Sequence, residues 1–408
     1  MKILMLAPQP FLEERGAPFA VYHHIKALIS MGFEIDLVTY HLGKPVNLPG
    51  LRIIRIPSLP GIKSVKVGPS LAKIPLDLLL CIVALWCLCS KRYSYIHTHE
   101  EAGVLGMILG SLFGLKHLYY MHSDLSQQIV SSEFTTNPLL IQLVKFVQKL
   151  MVRHADAVIA ICPDIETSAR QMSPSTPIYM IENSAVDENL PVPHPREVAQ
   201  LRYELNLGSG PVLLYTGTLE SYQGIDMLLH SIPTVLSTQP DAQYLLVGGQ
   251  PEQVEKFTRM AQELGISHAV TFTGQRPLAE MPLYMAVADI LLSPRSKGTN
   301  TPLKLYTYLR AGKPILATAI FSQTQVLSLE TAMLVPPTAE GIAQGTLKLL
   351  QHPQWAATLG VHAQHFAESH YSWPVFLEKS TQVQREFAAE ALTRETTEER
   401  AKDLSCVA

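Results

Sequence analysis

The segment LLSPRSKGTNTPLKLYTYLRAGKPILAT, residues 291–318, contains the densest group of side chains that could bind an anion. Its apolar start predicts a strand, and Pro302 suits the first turn of a helix running to Gly312, because a missing N–H costs little there. Backbone N–H groups at a helix start have no partners within the helix, and Lys304 lies one turn in. The loop before the helix adds basic, hydroxyl and amide groups and one glycine: Arg295, Lys297, Gly298, Thr299, Asn300 and Thr301. The pattern predicts a phosphate site, with a plain capped helix as the alternative.

Two more glycine loops follow predicted strands. In PVLLYTGTLESYQGIDMLL, Gly217 ends a strand and Gly224 precedes a helix, which fits either a phosphate cradle or a tight crossover loop. Gly16 lies in the loop after the first predicted strand, where backbone N–H groups could approach a phosphate. It is a lone glycine without a G-x-G-x-x-G motif, so an ordinary turn stays open.

A pair of histidines is expected on one face of a strand. His97 and His99 alternate along YSYIHTHE and therefore point to the same side, with Glu100 next in the chain. Acceptor binding, metal binding and structural hydrogen bonding are all open for this group. A metal site needs more ligands than the pair guarantees, so we expect no metal.

The elements that must position these residues follow an α/β pattern. Apolar runs such as KILMLAP, FEIDLVTY and KHLYYMHS alternate with helical stretches, and the second half repeats this with PVLLYTG, AQYLLVGG and ADILLSP. Such alternation predicts two Rossmann-like, doubly wound domains with parallel sheets. A Pro-rich polar segment after Asn183 indicates a boundary near residue 195, which gives domains at 1–195 and 196–372. We expect residues 373–390 to form a helix that returns to the first domain, and residues 391–408 to form a polar tail.

Composition narrows the function classes. The 408 residues are 47% apolar and 16% charged with a net charge of −3, which is typical of a well-packed globular protein and does not favour nucleic-acid binding. Five cysteines without metal-site spacing indicate a reducing compartment. The first apolar run is too short for a signal peptide. We therefore expect a cytoplasmic protein, free or at the inner face of the membrane.

One apolar segment raises the question of membrane contact. Residues 74–89, IPLDLLLCIVALWCLC, are apolar on every face apart from Asp77 and fall short of the roughly 20 residues that a bilayer span needs. Two placements stay open, a helix inside the core or a helix pressed onto a membrane surface. Contact with an anionic membrane would be favoured by the surrounding bases Lys44, Arg52, Arg55, Lys63, Lys66, Lys73, Lys91 and Arg92.

The loops above, together with the APQP…GAP, YIHTHEEAG, YYMHSDL and AICP…IEN segments, resemble glycosyltransferase family 4, the retaining group 1 enzymes with the GT-B fold. The likeness extends over nearly the whole chain. It implies two domains facing across a cleft, the first binding the acceptor and the second a nucleotide diphosphate sugar. It also implies transfer to a glycan, lipid-linked or small-molecule acceptor without a metal or other cofactor, because helix termini and Arg or Lys side chains can stabilise the leaving diphosphate.

The resemblance also implies roles for individual residues. Those expected to bind the donor are Gly16, Gly217, Thr218, Glu220, Gln223, Gly224, Thr299, Asn300, Thr301, Pro302, Leu303 and Thr307. Catalytic roles fall to the cleft histidine of YYMHSDL and two cations: His122, Arg295 and Lys304. Acceptor binding falls to His97, His99 and Glu100.

Four positions depart from the family pattern. The paired glutamates of the family fall on Thr299 and Thr307, and the Arg and Lys of its first phosphate loop fall on Thr218 and Gln223. Neutral groups stabilise charge less than ionised ones do. Two hypotheses follow: a transferase rebuilt around nearby basic residues, or a non-catalytic sugar-nucleotide-binding or scaffold subunit of a glycan-synthesis system. A dehydrogenase is not favoured, because no strand is followed by G-x-G-x-x-G.

Overall fold

A computed structural model describes residues 1–12, 16–65, 68, 70–131, 134–182 and 192–387. The chain divides into two compact units. Within the described residues, unit 1 comprises 1–182 and 376–387, and unit 2 comprises 192–375. The division falls at Glu182–Asn183, ahead of the position near residue 195 that the Pro-rich segment indicates. The predicted tail at 391–408, Lys66 and Cys406 lie outside the described residues.

Unit 1 is built on one parallel sheet. Its strands are β1 (Lys2–Ala7), β2 (Glu34–Thr39), β3 (Leu51–Arg55), β4 (Tyr95–His99), β5 (Lys116–Met121), β6 (Ala157–Ala160) and β7 (Ile178–Met180). Its helices are α1 (Gly16–Ser30), α2 (Lys73–Ser90), α3 (Gly103–Phe113), α4 (Leu125–Ser131), α5 (Pro138–His154), α6 (Pro163–Met172) and α15 (373–387). The strand order is β3-β2-β1-β4-β5-β6-β7. The central strands are buried along nearly their whole length, which explains their continuous apolar runs.

The helices of unit 1 cover both faces of its sheet. The connections from β3 onward all run in one direction, and right-handed crossovers place α2, α3, α5 and α6 in one layer, each contacting the next. The other face carries α1 and α15. There the Tyr95 hydroxyl donates to Gln384 Oε1 at 2.6 Å, which attaches α15 to β4.

Unit 2 repeats the design. Its strands are β8 (Val212–Thr216), β9 (Gln243–Val247), β10 (Val270–Gly274), β11 (Ile290–Ser293), β12 (Ile315–Thr318) and β13 (Met333–Val335). Its helices are α7 (Pro195–Glu204), α8 (Ile225–Leu236), α9 (Pro251–Glu263), α10 (Met281–Val287), α11 (Lys304–Arg310), α12 (Phe321–Thr324), α13 (Ala339–Gln351) and α14 (Pro353–His370). The parallel order is β10-β9-β8-β11-β12-β13. The predicted α/β class with two Rossmann-like domains is confirmed.

Some elements differ from the sequence expectation. β3, β7 and β13 were not among the predicted strands, and the last two have only three residues each, too few for a periodic signal. The Pro-rich segment expected as a linker contains α7. This helix begins with Pro at its first turn and a reciprocal capping box between His194 and Glu197, so its local chemistry favours a helix.

The apolar helix α2 is only half in the core. Leu76, Leu80, Ala84, Cys87 and Leu88 are buried in a cluster with β1, β2 and β4. The opposite face exposes five large apolar side chains: Ile74, Leu78, Ile82, Leu85 and Trp86. By length and composition alone, with a mean hydropathy of 1.9, the helix could also cross a bilayer. Of the two placements that the sequence leaves open, burial in the core describes one face of α2, and the exposed face leaves contact with a membrane surface open.

We expect Gly106→Ala to destabilise unit 1. A Cβ at Gly106 would lie 2.1 Å from Nε2 of His117 and 2.6 Å from Cγ2 of Thr98, two buried side chains that hydrogen-bond to each other. Overpacking of this kind costs about 1 to 3 kcal/mol in the free energy of unfolding. Chemical denaturation measures the change, with Gly208→Ala as the control because nothing lies within 4 Å of its new Cβ. Equal midpoints for the two variants would contradict this account of the packing.

Candidate donor site and histidine cluster

The predicted donor residues of unit 2 meet at the carboxyl ends of neighbouring strands. From β8 the chain proceeds to β9 on one side and later to β11 on the other, so the strand order reverses between β8 and β11. Ligands of doubly wound sheets bind in the crevice at such a reversal. The loops that follow β8 and β11 carry Gly217, Gly224 and Arg295, and they lie side by side here.

Two glycines allow these loops to approach closely. Gly224 has φ +72°, and a Cβ there would lie 1.9 Å from the Pro294 carbonyl oxygen. Gly248 has φ +124°, and its Cβ would lie 1.9 Å from the carbonyl oxygen of Gly217. Any side chain would separate the loops or strain the backbone. The glycines therefore serve loop packing, whatever ligand is bound.

Two cations point into this region. The Lys304 ammonium lies 3.9 Å from the centre of the Tyr215 ring, and the Arg295 guanidinium lies 5.1 Å from that of Tyr222. The Lys304 nitrogen is buried and has no hydrogen-bond partner among the described residues. Arg295 donates to the backbone oxygens of Lys297 (2.7 Å) and Asn300 (3.3 Å). In the part of the chain that the structure describes, no ion pair to a carboxylate joins either cation.

Burial changes the acidity of both groups. Desolvation, followed by repulsion from Arg295, lowers the pKa of Lys304 well below its ordinary value. Desolvation also lowers the pKa of Arg295, against the attraction of Tyr222 and Tyr215. A buried cation without a counter-ion is unfavourable, so the site favours an anionic ligand.

The other predicted donor residues differ in whether their polar side-chain atoms already have a hydrogen-bond partner within the protein. Thr301 Oγ1 and Gln223 Oε1 are buried without a partner among the described residues. Thr307 donates to the Lys304 carbonyl at 2.8 Å, and Glu220 accepts from Gln253 at 3.0 Å. The Thr218 carbonyl accepts from the Tyr215 hydroxyl at 2.5 Å. Thr307 thus bonds its own helix, unlike a side chain directed at a ligand.

The helix that the sequence predicts to start at Pro302 begins at Lys304 in the structure. α11 spans Lys304–Arg310, while Pro302 and Leu303 form the turn before it. The Leu305 and Tyr306 N–H groups donate to the carbonyls of Pro302 and Leu303 at 3.0 and 3.2 Å. Because the turn uses these two N–H groups, they are not available to an anionic ligand. We therefore expect the two cations to attract such a ligand more strongly than the start of α11 does.

Sequence reasoning missed the loops after β9 and β10. A pocket of about 390 Å³ opens between them, lined by Gly249, Gln250, Pro251, Val254, Phe272, Thr273, Gly274 and Gln275. It adjoins the β8 loop, because Gln253 bonds Glu220. The signal was present in the strand-end pairs of LLVGGQ and TFTGQR, which place glycine at the carboxyl ends of two more parallel strands.

The predicted first-domain residues form a stack in unit 1. His97 and His99 of β4 lie ring on ring at 4.9 Å, as the alternation predicts, and His99 Nδ1 hydrogen-bonds His122 Nε2 at 2.9 Å. Tyr120 stacks on His122 at 4.4 Å, and His24 of α1 meets the edge of His97 at 4.9 Å. Both predicted histidines are buried, so direct acceptor contact by His97 and His99 remains a prediction.

These histidines are uncharged at neutral pH. Desolvation lowers the pKa of His24 and of His122 to about 3, and it lowers the pKa of His97 and His99 well below the usual value. No group of three or more ligand side chains that could hold a metal ion occurs within the described ranges. The stack therefore presents neutral imidazoles.

Glu100 follows the stack in an unusual backbone conformation. Its φ is +50°, which is rare for a non-glycine residue, and its carboxylate accepts from the Ser123 hydroxyl at 2.8 Å. Desolvation and the nearby Glu101 raise the pKa of Glu100 to about 8. Gly16 begins α1 at the carboxyl end of β1; residues 13–15 before it lie outside the described ranges.

Comparisons with known proteins agree with this architecture. Residues 15–183 match a model of the glycosyl transferase 4-like domain, and residues 210–352 match one of the glycosyl transferases group 1. Sucrose-phosphate synthase from Thermosynechococcus elongatus superposes with a TM-score of 0.77 at 24% identity, covering 96% of this chain and 100% of that one. HepE from Anabaena, crystallised with UDP, gives 0.74 at 19% identity, covering 95% and 100%. Both show the GT-B fold.

One curated relative is a GDP-mannose-dependent alpha-(1-6)-phosphatidylinositol monomannoside mannosyltransferase of Mycolicibacterium smegmatis. It is 32% identical over 196 residues, which cover 46% of this chain and 51% of the relative. The chain thus matches about half the length of the first curated relatives. The two family models together with the shared fold establish that the chain belongs to the group 1, family 4 glycosyltransferases.

Proposed function

We propose that this protein transfers a sugar, with retention of configuration, from a nucleotide diphosphate sugar to a glycan, lipid-linked or small-molecule acceptor. The observation that carries the proposal is the pair of cations at the strand-order reversal of unit 2, the buried Lys304 ammonium and the partly buried Arg295 guanidinium. HepE binds UDP, which supports a nucleotide-linked donor. The pocket between the β9 and β10 loops has room for the nucleoside, and the cations attract its diphosphate.

The chemistry follows from the charge that develops on departure. As the bond from the sugar to the diphosphate breaks, negative charge builds on the leaving oxygen. Once the diphosphate is bound, which favours the ammonium form of Lys304, two poorly hydrated cations are in place and stabilise that charge at little reorganisation cost. The same cations interact less with the ground state, which carries less negative charge, and this difference lowers the barrier.

On the acceptor side, the proposed reaction needs a group that hydrogen-bonds the acceptor hydroxyl more than it needs a side-chain base that removes its proton. His122 is neutral, so it can orient a sugar hydroxyl without repelling a cation that forms at the reacting carbon. In a retaining transfer the departing phosphate oxygen takes the proton of the acceptor. We accordingly propose that no side-chain base and no metal take part.

The name of the mannosyltransferase relative points to a lipid-linked acceptor. Such an acceptor requires access to a membrane. The helical layer of unit 1 is suited to that contact, because α2, α3 and α5 all expose large apolar residues. Those on α3 and α5 are Ile108, Leu112, Leu139, Leu140, Leu143 and Phe146. We therefore propose peripheral contact at the cytoplasmic face of a membrane.

Positive charge near this layer comes from α5 as well as from the basic segment of residues 44–92, in which Lys44, Arg52, Lys63 and Arg92 are exposed. Three bases of residues 44–92 serve internal contacts: Arg55 bonds backbone carbonyls, Lys91 pairs with Asp36, and Lys73 pairs with Glu101. In contrast, α5 exposes three bases beside its apolar residues: Lys145, Lys149 and Arg153. An anionic surface would attract these residues.

We expect Lys304→Met to weaken binding of UDP or GDP and to lower kcat/KM by about 100-fold or more, because a cation at the leaving diphosphate is lost. Calorimetry and turnover of a panel of nucleotide sugars, with and without EDTA, provide the measurements. Lys297→Met is the matched control, since Lys297 is an exposed lysine in the loop that precedes α11. Binding without turnover on any plausible acceptor would favour the scaffold hypothesis, and loss of turnover in EDTA would remove the metal-free mechanism.

Diphosphate affinity should fall as the pH rises through the range between the lowered pKa of Lys304 in the empty site and its higher pKa with diphosphate bound. Burial holds the pKa of Lys304 low in the empty site, whereas a bound diphosphate favours the ammonium form, so binding takes up a proton at pH values above the low pKa. Each unit of pH in that range then costs up to about tenfold in affinity. Calorimetry in buffers of different ionisation enthalpy detects the proton. Lys304→Met should give a flat profile, and an equally steep profile in that variant would contradict the assignment.

Membrane contact should depend on the exposed face of α2. Replacing both Leu78 and Trp86 by Glu removes apolar area and adds charge, so we expect binding to anionic liposomes to fall by about tenfold or more. Flotation measures binding. Leu329→Glu is the control, because Leu329 is an exposed apolar residue of unit 2. Wild-type protein that stays unbound at every lipid composition would end the membrane proposal.

A further inference from the structure

The start of the apolar helix α2 is attached to the carboxyl edge of the unit 1 sheet. The Lys73 ammonium pairs with the Glu101 carboxylate, and the Tyr40 hydroxyl donates to Asp77 at 2.5 Å. Tyr40 directly follows β2, and Glu101 lies in the turn directly after β4. The helix that exposes apolar residues to solvent is therefore bonded to the end of β2 and to the end of β4, and β4 carries the candidate acceptor residues.

Glu101 is next to the strained residue of that edge. Glu100 has φ +50°, and such a conformation persists only where the surroundings enforce it. Two restraints hold this turn: the Ser123 hydroxyl on Glu100 and the Lys73 ammonium on Glu101. Ser123 follows His122, which bonds His99. A chain of direct contacts thus connects Lys73 to the histidine stack.

The Lys73–Glu101 ion pair is partly shielded from solvent and lies near two other carboxyl groups. The side chains of Lys73 and Glu101 are 19% and 27% exposed. Glu100 and Asp77 both interact electrostatically with Glu101 and with Lys73. Lys73 thus lies near three carboxyl groups and pairs directly with one of them, Glu101. Loss of the pair would leave the partly buried Glu101 carboxylate without its counter-ion and would release the turn.

We propose that Lys73 and Glu101 are positioning residues that couple lipid contact by α2 to the conformation of Glu100 and Ser123 beside His122. The coupling rests on the proposed membrane contact. When lipid immobilises the exposed face of α2, its first turn fixes Glu101, and the strained turn then holds Glu100 against Ser123. The acceptor side of the site becomes ordered where a lipid-linked acceptor is present.

Hydrogen exchange of the full chain tests the coupling without knowledge of the substrate. Amides of residues 99–103 and 122–125 should exchange at least about threefold more slowly when anionic phosphatidylglycerol vesicles are added. Glu101→Gln should still float with vesicles but should lose that protection. The charge-swapped Lys73→Glu/Glu101→Lys variant should regain it. Glu166→Gln, which breaks the Arg170 pair on α6 of the same unit, is the matched control and should behave as wild type.

The outcomes separate the two proposals. Wild-type protein that does not float with vesicles refutes membrane contact, and the coupling fails with it. Flotation without any change of exchange at residues 99–103 and 122–125 refutes only the coupling. Undiminished protection in Glu101→Gln, or no recovery in the swapped variant, refutes the role of the ion pair.

Discussion

The uncompensated burial of positive charge in unit 2 is the constraint on which the candidate site depends. An ammonium against the Tyr215 ring and a guanidinium beside Tyr222 receive cation–π stabilisation, which is small compared with the hydration that they lose. Glycine at positions 224 and 248 lets the backbone close around them. The arrangement is suited to an anionic ligand.

The candidate acceptor residues of unit 1, in contrast, are held in uncharged forms. Its histidine stack is buried so completely that the imidazoles are neutral, and the protonation of Glu100 is favoured by its surroundings. A site of neutral hydrogen-bonding groups is suited to an uncharged, hydroxyl-rich partner. In the proposed reaction, the cations of unit 2 thus bind the diphosphate. The neutral hydrogen-bonding groups of unit 1 bind the sugar hydroxyl.

Much of this could be predicted from residue types and spacing. The long apolar runs indicated the strands at the centre of both sheets, and the same-side placement of His97 and His99 follows from strand periodicity. The contact of Lys304 with Tyr215 could not be predicted, because it joins α11 to β8, which is distant in the chain. Which face of α2 is buried could not be predicted either, since its sequence is apolar on all sides and only tertiary packing decides which side is covered. The late start of α11 depends on the local turn at Pro302, which residue preferences do not resolve.

The cation pair also bears on the end of a catalytic cycle. A nucleoside diphosphate carries more negative charge after it has lost its sugar than before, so buried cations hold the spent nucleotide more firmly than the donor. Departure of that nucleotide would then limit the rate of repeated turnover. The protein would respond to the ratio of nucleotide sugar to nucleotide in its surroundings, and an activity that hydrolyses the spent diphosphate would accelerate it.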